Sequence, residues 1–476
     1  MLFNSLLYLV FLAVTVGASW ALVRFGAWRL AFLWLASCLF YMVWNPIFIL
    51  LILASTVYDY TIARFLDATP QDQPLKRKLL LFASVGVNLG LLCYFKYLNF
   101  FVQSAVQAAQ GLGLQWTAPV WDIVLPVGIS FYTFQTMSYN IDVYRREVPA
   151  EKSLLRFALF STFFPQLVAG PIVRPHTFLP QLHRKPTLTE ADVSFALFRI
   201  AKGLFKKVVV ADYLAVNLVD RVFSQPSLYS GPEVYVGLCA YTMQIYCDFS
   251  GYTDVAIGSA RLLGYELPEN FLRPYRARTV AEFWRKWHIT LSTWLRHYVF
   301  FPLGGSKGSV WMAHRNSMIT LVLIGLWHGA NWTFVVYGVL HGVAIAINRT
   351  LHRKRPKGFD EDNQSWQQNL WKIALTLNFV ILARILFRAP SLTAAGDIWL
   401  AMWGNGWGLS RIDKVTWLVL LGSFAVHFSP PNWLEEARRR FAVLPAYAQG
   451  AVLSIVAVAM AAIAETDVVP FIYFQF

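Results

Sequence analysis

Apolar runs long enough to cross a bilayer alternate along this chain with short polar segments, many of them basic. Residues 6–23 form the first run, and Arg24 and Arg29 follow it, which predicts cytoplasm at that end and an external start. Residues 30–43 and 47–62 predict two helices separated by a turn at Trp44-Asn45-Pro46. Lys76-Arg77-Lys78 predicts a cytoplasmic loop, residues 79–101 the next span, and polar residues 103–122 an external loop. Residues 125–143 place Ser130, Thr133, Gln135, Thr136, Ser138, Asn140 and Asp142 among aromatics, a pattern too polar to face lipid. Residues 157–171 are apolar but broken at Pro165-Gln166 and Gly170-Pro171, so this irregular backbone must be buried in protein or line a wet cavity.

In the second half, residues 193–223 mix apolar and basic positions. Lys202, Lys206 and Lys207 fall near one helical face, which predicts a helix at the membrane interface. Residues 234–263 read as a membrane run, and residues 267–308, rich in Arg and Trp, as in-plane helices plus a loop. A run over 318–348 follows, then the basic run at 352–357, read as a topology signal. Apolar segments at 370–387, 398–403, 417–428 and 451–464 complete the chain. The expected fold is all-α: a polytopic membrane helical bundle of about 11 transmembrane helices, at about 20 residues each, plus in-plane or re-entrant helices. It is expected as one integral-membrane domain over 1–476, with no internal repeat to suggest an inverted-repeat transporter.

Composition agrees with the pattern. Of 476 residues, 57% are hydrophobic and only 14% charged, and mean hydropathy is +0.47, which excludes an ordinary soluble domain. The net charge of +15 lies in clusters between apolar runs, as positive-inside bias requires, and no nucleic-acid partner is expected. Cys38, Cys93, Cys239 and Cys247 are scattered singly and read as packing residues. The first residues lack a basic segment and a small-residue cleavage site, so the first run is expected to be retained.

Chemistry concentrates at Gly325-Leu326-Trp327-His328-Gly329-Ala330-Asn331-Trp332. Gly325 and Gly329 are four apart, so helical geometry is expected to put both on one face, a spacing that lets a second backbone approach closely. A histidine in such a run is costly unless protein surrounds it, so His328 is expected as a buried catalytic base in a membrane enzyme. A core histidine bonded to a carbonyl is the alternative. A hydroxyl nucleophile is weak without a base, and an imidazole can take its proton and return it to a leaving group. At mid-depth, reached from both faces, it could pass an acyl group outward from a cytosolic thioester. His288 is the second histidine that stands out; read as one helix, residues 282–292 flank it with Trp284 and Ser292. Asp248 and Asp254 are uncommon in a membrane run; capping or pairing with Arg273 or Arg276 is the plainer role, catalysis the other. The glycine-rich turn at 302–308 lacks the ending of a phosphate loop. No HExxH or other local ligand spacing is present, so no metal is expected.

Trp327-His328-Gly329-Ala330-Asn331-Trp332-Thr333-Phe334 with His341-Gly342 resembles the hallmark of the membrane-bound O-acyltransferases, in the branch of the alginate O-acetylation proteins. The segments at 125–135, 164–172, 248–254, 283–289 and 387–389 resemble that branch too, so the similarity runs nearly end to end. His297 and Ser306-Lys307 depart from its usual residues. The resemblance implies a funnel-shaped helical bundle, His328 as the essential histidine and His288 as a supporting one. Asn331, Asp248 and Trp327 are the candidate supporting residues. It implies acetyl-CoA or another acyl thioester as donor substrate, with no cofactor held permanently. It implies a multi-pass protein of the bacterial inner membrane, in contact with lipids and with periplasmic acetyltransferase partners. The implied acceptor is an exported polysaccharide, alginate first, reached directly or through a partner. Bacterial cellulose, peptidoglycan and D-alanyl transfer to teichoic acid are the alternatives within the class. A transporter or a non-enzymatic scaffold is the alternative outside it.

Overall fold

The computed structural model describes residues 1–353, 366–430, 432–464 and 470–472, and among them there are helices and no strand. The residues group into two compact units, Met1–Val193 with Ala256–Pro268, and Ser194–Val255 with Glu269–Phe476.

The first unit begins with α1 (Leu6–Ala21), α2 (Gly26–Met42), α3 (Phe48–Ala68) and α4 (Pro74–Leu92). Ser5 caps α1 by accepting the amide of Tyr8, and the turn at Trp44-Asn45-Pro46 separates α2 from α3 as expected. A π-helical turn over Cys93–Tyr97 carries α4 into α5 (Leu98–Gly111), so Pro74–Gly111 is one 38-residue apolar rod. The loop expected from residue 103 therefore starts only after Gly111; polar residues on an exposed helical face had imitated a loop. In α6 (Ile129–Tyr144), Ser130, Thr133, Gln135, Thr136, Ser138, Asn140 and Asp142 are all buried, as their polarity required. The broken segment forms α7 (Leu154–Thr162) and the short α8 (Phe164–Leu167), also buried, before α9 (Pro175–Leu182).

Next come α10 (Glu190–Phe205), α11 (Asp220–Ser224) and the 32-residue α12 (Gly231–Leu262). Gly203 and Gly251 let α10 and α12 touch: a Cβ on Gly203 would stand 2.6 Å from the Gly251 carbonyl oxygen. The in-plane region forms α13 (Val280–Lys286) and α14 (Ile289–Leu295). α15 (Val310–His328) and α16 (Trp332–Arg353) form a close hairpin, followed by α17 (Trp366–Arg388), α18 (Leu392–Gly404), α19 (Lys414–Phe428), α20 (Asn432–Ala442) and α21 (Ala446–Ile463). Thr279, Ser309, Ser391 and Asp413 cap α13, α15, α18 and α19. The basic run at 352–357 lies almost wholly outside the described residues.

Among the described residues, five helical stretches are long and apolar enough to cross a membrane: Phe48–Ala68, Pro74–Gly111, Trp332–Leu351, Gln367–Arg388 and Ala446–Ile463. Leu6–Ala21, Gly26–Met42 and Lys414–Phe428 are shorter apolar helices. The chain is a multi-pass membrane protein.

Candidate active site

The run over 318–348 is two helices, not one. Gly329 is extended, with φ −165° and ψ 152°, so α15 ends at His328. Asn331 starts α16: its Oδ1 accepts the Thr333 amide at 2.9 Å, and its Nδ2 donates to the Pro390 carbonyl at 2.8 Å. Gly329 thus caps a helix and does not share a helical face with Gly325. Gly325 does permit close approach, because a Cβ there would stand 2.1 Å from the Phe334 carbonyl oxygen of α16. Gly338 does the same from the other side, 2.5 Å from the Leu321 oxygen. The hairpin holds His328 where one helix stops and the other begins.

Aromatic rings surround that imidazole. The Trp327 ring lies 5.2 Å from His328 and 5.3 Å from His288, edge-on to both, and all three residues are buried. Phe387 of α17 closes another side at 5.0 Å from His328. The buried guanidinium of Arg384 lies 4.6 Å from the Trp287 ring and 5.2 Å from Phe387.

His288 does not sit inside a helix as its spacing suggested. Its φ of +44° breaks residues 282–292 into α13 and α14. Asn270 holds the break. Its carbonyl accepts the Ile289 amide at 3.0 Å, and its Oδ1 takes the Thr290 amide at 3.1 Å and the Thr290 hydroxyl at 2.9 Å. His288 Nδ1 lies 3.2 Å from the same Oδ1. A backbone N–H can only donate, so the Thr290 amide fixes the orientation of the Asn270 side chain. Nδ1 therefore carries the proton and donates, leaving Nε2 as the nitrogen with the lone pair. Burial pushes the imidazole down to about 3, so it is neutral at ordinary pH. Asn270 was not among the sequence candidates; nothing in its local pattern marks it, because its role depends on a chain reversal.

Of the supporting candidates, Trp327 touches both histidines, whereas Asn331 is occupied in the cap. Asp248 accepts Lys207 Nζ at 2.7 Å and the Ile472 amide at 2.7 Å. Its neighbour in sequence, Phe249, meets His288 at 4.7 Å. Asp254 pairs with Arg199 at 2.5 Å, Lys206 at 2.8 Å and Lys202 at 3.2 Å. The expected partners go elsewhere: Arg273 and Arg276 both donate to the Ser429 carbonyl. Lys202, Lys206 and Lys207 thus turn inward to carboxylates, where charge in an apolar setting must be matched. His341, part of the stretch that carries the family resemblance, accepts the Trp284 indole N–H at 3.2 Å. Beside Asp248 lies a polar cavity lined by Lys207, Asp212, Tyr241, Gln244 and Arg388. Arg388 directly follows the Phe387 that packs on His328.

Two buried imidazoles about one indole, in a multi-pass membrane protein, suit a group transfer that moves a proton. The model of the membrane-bound O-acyltransferase family matches residues 146–388. The chain belongs to this family. Both histidines, Trp327 and Asn270 lie within the matched stretch. A "probable alginate O-acetylase AlgI" of Pseudomonas putida is 38% identical over 417 residues, covering 87% of this chain and 83% of that protein. One of the same description from Azotobacter vinelandii is 41% identical over 382 residues, covering 80% and 74%. A "peptidoglycan O-acetyltransferase" of Helicobacter pylori is 35% identical over 414 residues, covering 80% and 76%. This membrane-bound O-acyltransferase therefore places its imidazole pair in the region that defines the family.

Proposed function

We propose that this O-acyltransferase moves acetyl groups from a cytosolic thioester, acetyl-CoA, to an exported polysaccharide at the bacterial inner membrane. The observation that carries the reading is the pairing of His328 and His288 about Trp327 at the end of α15. An acceptor hydroxyl attacks the thioester carbonyl while His328 takes its proton. The tetrahedral intermediate expels the thiolate, which recovers that proton from the imidazolium, so charge and protons balance over the cycle. His288, fixed by Asn270, holds the indole wall against His328.

Alginate is the first acceptor, in keeping with the alginate O-acetylase relatives. Peptidoglycan is the second, favoured by the Helicobacter relative. A periplasmic acetyltransferase partner would carry the acetyl group onward where the polymer is not acylated directly. The test uses purified protein with acetyl-labelled acetyl-CoA and candidate acceptors. General base catalysis is worth on the order of 10²–10⁴-fold, so His328→Ala should lose nearly all acceptor-dependent CoA release. Full turnover by a folded His328→Ala protein would refute the assignment.

A further inference from the structure

In the first unit a carboxylate lies buried midway along a membrane-spanning helix with no basic partner. Asp59 of α3 is wholly buried, and no Lys, Arg or His among the described residues pairs with it. Arg77 of α4 spends its donors on the carbonyls of Leu66, Thr69 and Tyr144. Around Asp59 stand two polar pairs spaced one helical turn apart: Ser84 and Asn88 on α4, Thr136 and Asn140 on α6. All are at most 2% exposed.

Every group within hydrogen-bond distance of Asp59 approaches as a donor. Oδ1 receives the Ser84 hydroxyl at 3.0 Å, Asn88 Nδ2 at 2.9 Å and Asn140 Nδ2 at 2.7 Å. Asn88 Nδ2 also donates to the Ser84 carbonyl at 3.0 Å, which can only accept, so the orientation of that amide is fixed. Asn140 Nδ2 donates to Ser84 Oγ at 2.8 Å, so the Ser84 proton is directed to Asp59. A protonated carboxyl would need an acceptor for its own hydrogen among these donors. The shell is built for the ionised form.

An unmatched negative charge at this depth is costly. Three oxygens remain under-used. Oδ2 takes a single 3.1 Å bond from Asn88, although a carboxylate oxygen has two lone pairs. Asn140 Oδ1 is buried with no hydrogen-bond partner. Asn88 Oδ1 receives only the Thr136 hydroxyl, at 3.4 Å. A small hard cation selects such a carboxylate, amide and hydroxyl oxygen set, and one carboxylate balances one unit of charge.

We propose that Asp59, Asn88, Thr136 and Asn140 bind a monovalent cation of the size of Na⁺, which ties α3, α4 and α6 together by supplying the missing countercharge. This site is separate from the histidine site and does not depend on the acyl-transfer reading.

The test uses the full-length protein purified in detergent. Radioactive ²²Na⁺ should bind with saturable, one-to-one stoichiometry and be displaced by unlabelled NaCl but not by choline chloride. At constant ionic strength, replacing choline by Na⁺ should raise the thermal midpoint by several degrees, and Asp59→Asn should abolish both effects. Absence of ²²Na⁺ binding to the wild type overturns the proposal whether or not the variant folds. So does an infrared band of a protonated carboxyl in Na⁺ buffer that disappears in Asp59→Asn.

Discussion

The Trp327 indole meets the His288 imidazole edge-on, with ring centroids 5.3 Å apart and planes at 70°. That contact joins the end of α15 to the break between α13 and α14, and the same indole also meets His328, edge-on at 5.2 Å. Both imidazoles therefore share one side chain as a packing partner.

Removing that side chain should do more than lower stability. Trp327→Ala leaves a void in a buried wall and should cost on the order of 3–5 kcal/mol. Trp327→Phe keeps part of the ring surface and should cost less. The ranking in acyl transfer should be wild type, then Phe, then Ala, with the fall in kcat larger than any change in donor KM. A Trp327→Ala protein with unchanged kcat would show that the indole does not position His328.

The α15–α16 hairpin gives a second test. A Cβ on Gly325 would lie 2.1 Å from the Phe334 backbone oxygen, which no side-chain rotation can relieve. Gly325→Ala should force the helices apart, cost about 1–3 kcal/mol and reduce turnover by displacing His328. Gly422→Ala is the control, because nothing stands within 4 Å of a Cβ there. It should leave the thermal midpoint equal or slightly higher, since alanine favours helix over glycine. Equal effects of the two substitutions would mean that the hairpin is not closely packed.

His288 predicts a direction for pH dependence. Burial holds its imidazole at about 3, whereas the unfolded chain titrates near ~6.5. Above that range both states are neutral and the contribution is complete. As pH falls below it, the unfolded chain gains a proton that the folded one does not. Stability then drops, by on the order of 2 kcal/mol at pH ~5. His288→Asn is the matching variant: asparagine tolerates positive φ and its amide can donate to Asn270 Oδ1. Unfolding measured between neutral and acid pH should show a shallower fall in this variant. An identical pH profile would place the acid sensitivity elsewhere.

Much of this arrangement was legible because membrane chemistry is strict. The polarity of residues 130–142 demanded an interior face, and α6 has one. Proline at 46 also read correctly, since it acts through neighbouring backbone, whereas of the Gly325–Gly329 pair only Gly325 faces the second helix and Gly329 ends the first. What was not legible depended on distant partners or on single backbone angles. The φ of +44° at His288 has no local mark, and the stretch around it has good helical spacing. Asn270 became visible as a clamp only once the chain reversed onto it. The lysines at 202, 206 and 207 looked like headgroup anchors because two of their partners, Asp248 and Asp254, are remote in sequence.

The last of those pairings carries its own prediction. Lys207 Nζ lies 2.7 Å from both Asp212 and Asp248, while Asp248 also accepts the Ile472 amide at 2.7 Å. One ammonium therefore holds two carboxylates, and one of these anchors residues 470–472. Lys207→Met leaves both carboxylates without their shared cation, and breaking a buried pair in this way costs about 3–5 kcal/mol. Asp248→Asn still leaves Lys207 with Asp212, so it should cost less, and the amide oxygen can keep the Ile472 N–H. Once Asp248 is neutral, Lys207→Met strands only one carboxylate. The double variant should therefore be more stable than the sum of the single losses implies, by a coupling of about 0.5–3 kcal/mol. Denaturation midpoints of the four proteins measure that coupling directly. Strict additivity would mean that Lys207 acts on Asp212 alone, and that Asp248 holds the 470–472 segment without it.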